Sequence, residues 1–215
     1  MRVHSFSFNP FAENTYVLID PATGQCAIVD PGCYTPAEQA TLRAFITDSG
    51  LTPSALLLTH SHIDHVLGLD FVARTWQLTP QHHPLDQETL RAVPLYAGSY
   101  GFAAPHLPDT TTFLTAPGTV TFGDVTLEVR FTPGHAPGHV VFYHEPTRRL
   151  IGGDVLFQGS VGRTDLPGGD FATLETSIRE QLYTLPDATV VYPGHGPTTT
   201  IGQEKRTNPF VRAEG

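Results

Sequence analysis

The sequence is poor in cysteine and in basic residues, and it has no long apolar run. Two cysteines, Cys26 and Cys33, are too few for a disulfide framework and favour a reducing compartment, so we expect a cytoplasmic protein. No apolar stretch approaches the ~18 residues that span a bilayer, and the N-terminal segment lacks the apolar core of a signal peptide. Lys and Arg total 12 against 21 Asp and Glu, and the net charge of −9 argues against nucleic acid or an anionic membrane as a partner.

The sequence has enough hydrophobic residues to form a folded core. Hydrophobic residues make up 40% of the 215 residues and charged residues 15%, a composition that favours a folded chain over a disordered one. The length suits one domain, so we expect residues 1–215 to form a single domain. The 20 glycines and 19 prolines are spread along the chain, which indicates many short elements joined by tight turns.

Both halves of the chain contain strands followed by helices. One helix is predicted to begin at the capping box Thr35 to Glu38 and to end at Gly50, and another to run from about Val66 to Trp76. Mixed helical structure is predicted over 84–104, and one further helical stripe comprises Leu174, Ile178, Leu182 and Leu185. Strand signals lie at residues 3–8, 15–19, 27–29, 55–58, 119–122, 125–131, 140–143, 150–151 and 189–192. This order is compatible with a four-layer α/β sandwich, although propensity alone does not single that fold out.

Histidines are concentrated directly after the predicted strand 55–58. His60, His62, Asp64 and His65 fall within six residues, and imidazole and carboxylate groups are common ligands of divalent metals. In an extended chain residues i and i+2 point the same way, so His60 and His62 can share one metal. Asp64 and His65 come where the chain turns into a helix, so they face another direction and can serve a second ion. A polar loop of solvated histidines is the ordinary alternative, but this density is improbable by chance.

The second half of the chain supplies further candidate ligands at strand ends. His135 follows strand 125–131, Asp154 follows strand 150–151, and His195 follows the last strand. Glycine neighbours each of them, and it lets the backbone pass close to a crowded site. Each signal alone is weak, because a lone histidine after a strand is usually satisfied or solvated. Their joint occurrence after the 60–65 cluster predicts a metal centre.

These motifs resemble those of the metallo-β-lactamase superfamily. His60-x-His62-x-Asp64-His65 matches its signature, and the stretches 132–139, 153–165 and 192–200 are similar to the glyoxalase II (hydroxyacylglutathione hydrolase) group, particularly its short bacterial members. The resemblance covers nearly the whole chain and implies an αββα sandwich, with two mixed sheets face to face and helices outside. Because only 20 residues follow His195, we expect no separate C-terminal substrate domain of the kind that glyoxalase II carries.

The resemblance also implies a binuclear centre and a reaction. It implies one metal on His60, His62 and His135, a second on Asp64, His65 and His195, and Asp154 as the bridge. Zinc is the expected metal, with iron or manganese as alternatives. A hydroxide held beside Asp64 and Asp154 would attack the carbonyl of a small anionic thioester such as S-lactoylglutathione. A thiolate, with a free-thiol pKa of ~8.5, leaves with little proton donation, whereas an amide nitrogen needs a general acid.

Further residues are expected around the metals. Asp30, His83 and His139 are candidates to support the ligands from behind, because metal-bound imidazoles usually donate their other N–H to an acceptor. We treat His139 as non-ligating, although it follows His135 by four residues. The candidate substrate contacts are Arg163, Tyr100, Lys205 and Arg206, for which surface or structural pairing is the more ordinary interpretation.

Two alternatives stay open at the level of sequence. A persulfide dioxygenase of the same superfamily shares the Gly-Arg-Thr-Asp stretch at 162–165 and uses one iron on two histidines and one aspartate, here His60, His135 and Asp154. The other alternative is a metal-bound, non-catalytic binding domain, which seven ligands disfavour because a structural zinc site is normally closed with four. A β-lactamase is disfavoured by the absence of a signal peptide, and a nuclease by the acidity of the chain.

Overall fold

The computed structural model describes residues 1–212 and forms two six-stranded sheets with helices. The strands are β1 (Arg2–Phe8), β2 (Glu13–Ile19), β3 (Gln25–Val29), β4 (Thr52–Leu57), β5 (Pro80–His82), β6 (Thr112–Phe113), β7 (Gly118–Phe122), β8 (Val125–Phe131), β9 (Val140–His144), β10 (Arg149–Gly153), β11 (Leu156–Phe157), β12 (Ser160–Val161), β13 (Val190–Pro193) and β14 (Thr199–Thr200). The α-helices are α1 (Pro36–Asp48), α2 (Ile63–Val66), α3 (Leu69–Trp76), α4 (Gln87–Tyr96), α5 (Phe171–Ser177) and α6 (Ile201–Thr207).

Each sheet is mixed. The first has the order β1-β2-β3-β4-β5-β6, antiparallel from β1 to β3 and parallel from β3 to β6. The second has the order β14-β13-β10-β9-β8-β7, and only its β10–β13 pair is parallel among the described strands. A small hairpin, β11–β12, follows β10.

Alternate side chains along the strands of the first sheet pack into two hydrophobic cores, one on each face of the sheet. Val17 and Ile28 pack on the outer side with α1, α3 and α4, whereas Leu18 and Ala27 pack on the inner side against the second sheet. Successive side chains of a strand point to opposite faces, so a sheet whose two faces are both apolar must be covered on both. Helices cover the outer face and the other sheet covers the inner face.

The second sheet repeats this arrangement. Phe142 belongs to the core between the sheets, and its neighbours Val141 and Tyr143 pack outward with Leu174 of α5 and Ile201 of α6. The four layers are therefore helix, sheet, sheet and helix, and the predicted α/β fold, an αββα sandwich with two mixed sheets face to face, is confirmed.

Local sequence signals predicted most elements, and the structure corrects the end of one helix and divides another. Thr35 and Glu38 form the predicted capping box, and α1 ends at Asp48, two residues before Gly50. The helix predicted from Val66 to Trp76 is instead two helices, α2 and α3, separated at Gly68. A Cβ at position 68 would collide with Cys33, and the Gly68 N–H donates to the Pro31 carbonyl, so the backbone bends to pack against the 31–33 turn.

The outer helices of the second sheet also differ in detail. The predicted stripe from Leu174 to Leu185 is covered by α5 and by a π-helical segment, Ile178–Leu182, and Leu185 lies beyond its end. Over residues 1–212 we find no helix that combines the length and the apolar character needed to cross a bilayer.

Candidate metal centre

All seven predicted ligands converge where strands of the two sheets end. β4 of the first sheet leads into the segment 60–65. In the second sheet, β8 leads to His135, β10 to Asp154 and β13 to His195. The carbonyl ends of the parallel pairs β3–β4 and β10–β13 bring these loops to one edge of the sandwich.

His60, His62 and His135 form the first ligand cluster. One nitrogen of each lies within 4.8 Å of the others, and Nδ1 of His62 lies 2.8 Å from Nε2 of His135. Burial, together with neighbouring imidazoles, lowers the pKa of His60 and lowers the pKa of His62 to about 3. Both rings are therefore neutral at pH 7, and each keeps a nitrogen lone pair that a cation can use.

Asp64, His65 and His195 form the second cluster, again with ligand atoms within 4.8 Å. Oδ2 of Asp64 lies 3.0 Å from Nε2 of His195 and 3.7 Å from Nε2 of His65. Burial alone would lower the pKa of His65, but the carboxylates of Asp64 and Asp154 raise it above its ordinary value. Burial would also lower the pKa of His195, but its hydrogen bond to Asp64 raises it. The second cluster therefore attracts positive charge.

Asp154 lies between the two clusters. Its Oδ1 is 3.4 Å from Nε2 of His65, and its Oδ2 is 3.6 Å from Nε2 of His135 and 3.5 Å from Nε2 of His195. Burial would raise the pKa of this carboxyl, but His65 and the other imidazoles hold it well below its usual range. An ionised carboxylate whose Oδ2 lies near histidines of both clusters has the position expected of a bridging ligand.

The unsatisfied atoms of this region test whether metal ions fit. Within residues 1–212, Nε2 of His60, Nε2 of His65 and Oδ1 of Asp154 are buried without a hydrogen-bond partner. Buried polar atoms of this kind are costly unless something pairs with them, and nitrogen and carboxylate donors suit divalent ions such as zinc, iron and manganese. The residues therefore fit two divalent ions.

Three of the ligand imidazoles have a hydrogen-bond acceptor at Nδ1, the nitrogen that faces away from the centre. Nδ1 of His65 lies 3.1 Å from Oδ2 of Asp30, Nδ1 of His135 lies 2.7 Å from the carbonyl oxygen of Arg163, and Nδ1 of His195 lies 3.1 Å from that of Phe11. Such contacts fix the tautomer, so that Nε2 of each ring faces the centre. The two carbonyl acceptors had no signal in the sequence, because any residue type offers a backbone oxygen.

Asp30 and His139 occupy the positions expected of supporting residues. The Asp30 carboxylate accepts hydrogen bonds from the N–H and hydroxyl of Thr59, at 2.7 and 2.6 Å, in addition to its contact with His65. Nε2 of His139 accepts from the backbone N–H of Asp154 at 3.0 Å, and its Nδ1 pairs with Thr132. Burial lowers the pKa of His139, so its ring is neutral and both nitrogens are committed without a metal.

His83 has contacts away from the ligands, and its supporting role stays a prediction. Its Nδ1 accepts from the backbone N–H of Leu85 at 3.3 Å, which caps the 3-10 turn Pro84–Asp86, and its ring stacks on Phe131 at 4.6 Å between centroids. In the described part of the chain it makes no hydrogen bond to a predicted ligand.

The predicted cationic substrate contacts have partners of their own. Arg163 makes a two-point ion pair with Asp165, at 2.7 and 2.8 Å. Lys205 lies 2.8 Å from Asp187, and Arg206 lies 3.9 Å from the same carboxylate. The structure thus gives all three side chains a structural pairing, and a role in substrate binding stays a prediction.

The open side of the centre is aromatic. The side chains of Asp64 and His195 are 15% and 27% exposed, more than those of His65 or Asp154. Phe11, whose carbonyl contacts His195, is itself exposed and packs edge-on against Tyr100 at 6.0 Å, and the Phe157 ring lies 6.2 Å from the His195 ring. Tyr100, predicted as a substrate contact, therefore lies in an exposed aromatic group beside the centre.

Sequence reasoning missed Glu13, a fully buried carboxyl beside the second cluster. Its Oε2 lies 2.9 Å from the hydroxyl of Thr15, and its Oε1 lies 3.9 Å from Nδ1 of His65. Burial raises the pKa of Glu13 well above its ordinary value. The signal that was available is its position at the start of a strand whose following residues are buried, where a glutamate is rare unless it has a partner.

Two glycines leave room for Asp154. A Cβ at Gly194 would collide with Oδ1 of Asp154 and with the His65 ring, and a Cβ at Gly162 would collide with the Asp154 carbonyl. These positions explain why glycine accompanies the ligand loops: the backbone itself packs against the ligands.

The comparisons with known proteins agree with this fold. Residues 8–195 match the family model of the metallo-beta-lactamase superfamily, and the chain belongs to that superfamily. It is 39% identical over 213 residues to "Probable metallo-hydrolase YqgX" of Bacillus subtilis (strain 168), covering 98% of both chains. It is 35% identical over 225 residues to "Hydroxyacylglutathione hydrolase GloC" of Haemophilus influenzae, covering 100% of both.

Two solved structures are similar along the whole chain. The BLEG-1 B3 metallo-beta-lactamase has a TM-score of 0.89 and 37% identity, covering 98% of this chain and 99% of that one. TTHA1623, solved in a di-iron-bound form, has a TM-score of 0.86 and 39% identity, covering 97% and 100%. Membership in the superfamily implies divalent metal ions in this chain, and the two His/Asp clusters are where its residues fit them.

Proposed function

We propose that this protein is a binuclear metal-dependent hydrolase of thioesters such as S-lactoylglutathione, with zinc as the metal and iron or manganese as the alternatives. The observation that carries the proposal is the position of Asp154 between two three-residue clusters, with its carboxylate oxygens 3.4–3.6 Å from histidines of both. The full-length similarity to a protein named hydroxyacylglutathione hydrolase supports the choice of thioester.

Two divalent ions, when bound, supply a hydroxide nucleophile near neutral pH and stabilise the oxyanion that its attack creates. The chain's own residues set the conditions for this chemistry. His60 and His62 are neutral donors, because burial lowers the pKa of each. Asp64, Asp154 and the hydroxide supply three negative charges against the four positive charges of two divalent ions, so this set keeps a net positive charge toward an anionic substrate.

The leaving group distinguishes a thioester from an amide. A thiolate leaves with little proton donation, whereas an amide nitrogen needs a general acid. The cluster histidines offer no ready acid: each ring turns one nitrogen to the centre, and Nδ1 of His65, His135 and His195 is engaged by Asp30, Arg163 and Phe11. This chemistry favours thioesters over the β-lactam amides suggested by the similarity to BLEG-1.

The test compares three reactions on metal-loaded protein. Loss of thioester absorbance from S-lactoylglutathione, measured with zinc, manganese or iron, should exceed the uncatalysed rate by orders of magnitude. Oxygen uptake with glutathione persulfide tests the dioxygenase alternative, and opening of a chromogenic β-lactam tests the lactamase alternative. Absence of thioester turnover with every metal would refute the proposal, and oxygen uptake with one iron per chain would replace it with the dioxygenase.

A further inference from the structure

One buried carboxylate near the centre has no part in the proposed chemistry. Asp86 is fully buried and sits at the junction between the 3-10 turn Pro84–Asp86 and α4. It is the N-cap residue of α4, yet its side chain makes no capping hydrogen bond in the region 1–212. A buried carboxylate is costly unless it is paired, so its contacts elsewhere need an explanation.

The Asp86 side chain reaches the loop that carries His135. Its Oδ1 accepts a hydrogen bond from the backbone N–H of Gly138 at 3.1 Å. Gly138 lies within the loop that runs from Thr132 to His139, and a Cβ at position 138 would collide with the backbone N and the side chain of Asp86. The His135 loop is thus in direct backbone contact with Asp86.

The same carboxylate faces the loop that carries His60 and His62. Burial raises the pKa of Asp86, and its neighbours Gly138 and Ser61 oppose that rise. Oδ2 of Asp86 and the hydroxyl oxygen of Ser61 are both buried, and neither has a hydrogen-bond partner among the described residues.

We propose that Asp86 is a positioning residue that joins the Ser61 segment to the Gly138 segment and thereby sets the spacing of His60, His62 and His135. His60 and His62 follow a strand of the first sheet, whereas His135 follows a strand of the second. Their spacing therefore depends on contacts between loops. Asp86 belongs to neither loop, accepts a hydrogen bond from Gly138 and lies beside Ser61. The inference rests on the proposed metal centre and not on the identity of the substrate.

Metal binding without substrate tests this role. We expect Asp86→Ala to weaken the ion at the first cluster by about 10–100-fold, the range typical for outer partners of metal ligands, while the second ion stays bound. Asp86→Asn keeps Oδ1 as an acceptor for Gly138 and should stay within about threefold of wild type. Zinc affinity is measured by competition with a chromogenic chelator, and the bound ion's environment by the absorption spectrum of the cobalt form.

A matched control separates positioning from general stability. Asp20 is also buried and also joins two loops, accepting from Ala22 N–H at 2.9 Å and from Asp124 N–H at 2.8 Å, away from the ligand loops. Asp20→Ala should lower the melting temperature and leave both metal affinities unchanged. Should Asp86→Ala fail to fold, Gly138→Ala carries the test, because its Cβ would press the Gly138 segment away from Asp86.

The outcomes are distinct from those of the function test. Asp86→Ala or Gly138→Ala with wild-type affinity for both ions would overturn the positioning role, as would an equal loss in Asp20→Ala. Wild-type protein that binds two ions but hydrolyses no thioester would refute the proposed substrate and leave the role of Asp86 standing.

Discussion

Replacing Asp64 with alanine is expected to empty the second ligand cluster while the first stays filled. The Asp64 carboxylate lies 3.0 Å from Nε2 of His195 and 3.7 Å from Nε2 of His65, so its loss removes one of three proposed ligands and one negative charge. Two unit charges ~4 Å apart at an effective dielectric of ~20 attract by about 4 kcal/mol, a divalent ion carries twice that charge, and about 1.4 kcal/mol is tenfold in affinity. We therefore expect the affinity for the second ion to fall by at least roughly a thousandfold.

The assay is elemental analysis of protein that has been loaded with excess zinc and desalted. Wild type should retain about two ions per chain and Asp64→Ala about one, with thioester turnover reduced by orders of magnitude. Asp70→Ala is the control, because Asp70 is a nearby carboxylate that pairs with Arg74 on α3 at 2.9 Å. Two tightly held ions in Asp64→Ala would show that Asp64 is not a ligand.

Three further predictions concern other parts of the chain. His139→Ala should keep both ions but lose about 2–5 kcal/mol of unfolding free energy in urea, because it leaves the Asp154 N–H unpaired in a buried cavity; loss of an ion would mean that His139 is a ligand. Thr35→Ala should cost about 1 kcal/mol of unfolding free energy through loss of the α1 cap, with unchanged metal content; an unaltered urea midpoint would contradict this. Cys26 and Cys33 should resist iodoacetamide at pH 8 until the chain is unfolded, because burial raises the pKa of each thiol to about 12; rapid labelling of the folded protein would refute their burial.

Local sequence signals predicted elements whose structure depends on near neighbours. The capping box of Thr35 and Glu38 satisfies its own backbone groups, so it marks the start of α1 wherever the helix packs. The short strands β5 and β6 gave no such signal, because they hold two or three residues each and depend on pairing with β4 and with one another. The break at Gly68 depends on Cys33 and Pro31, which are distant in sequence.

The candidate site also combines residues that the sequence predicted with contacts that depend on the fold. His60, His62, Asp64 and His65 are adjacent in sequence, so their density alone indicated a metal centre. The supports could not be read from residue types, since Arg163 and Phe11 contribute carbonyl oxygens and the Arg163 side chain is paired with Asp165. The position of Asp86 against both Ser61 and Gly138 likewise requires the fold.

The number of metal ions bound by the wild-type chain tests the binuclear centre. Calorimetric titration of metal-free protein with zinc should reveal two ions per chain, both lost on treatment with a strong chelator and both restored on reloading. A single ion per chain, or none after reloading of folded protein, would contradict a centre in which Asp154 lies between two filled clusters.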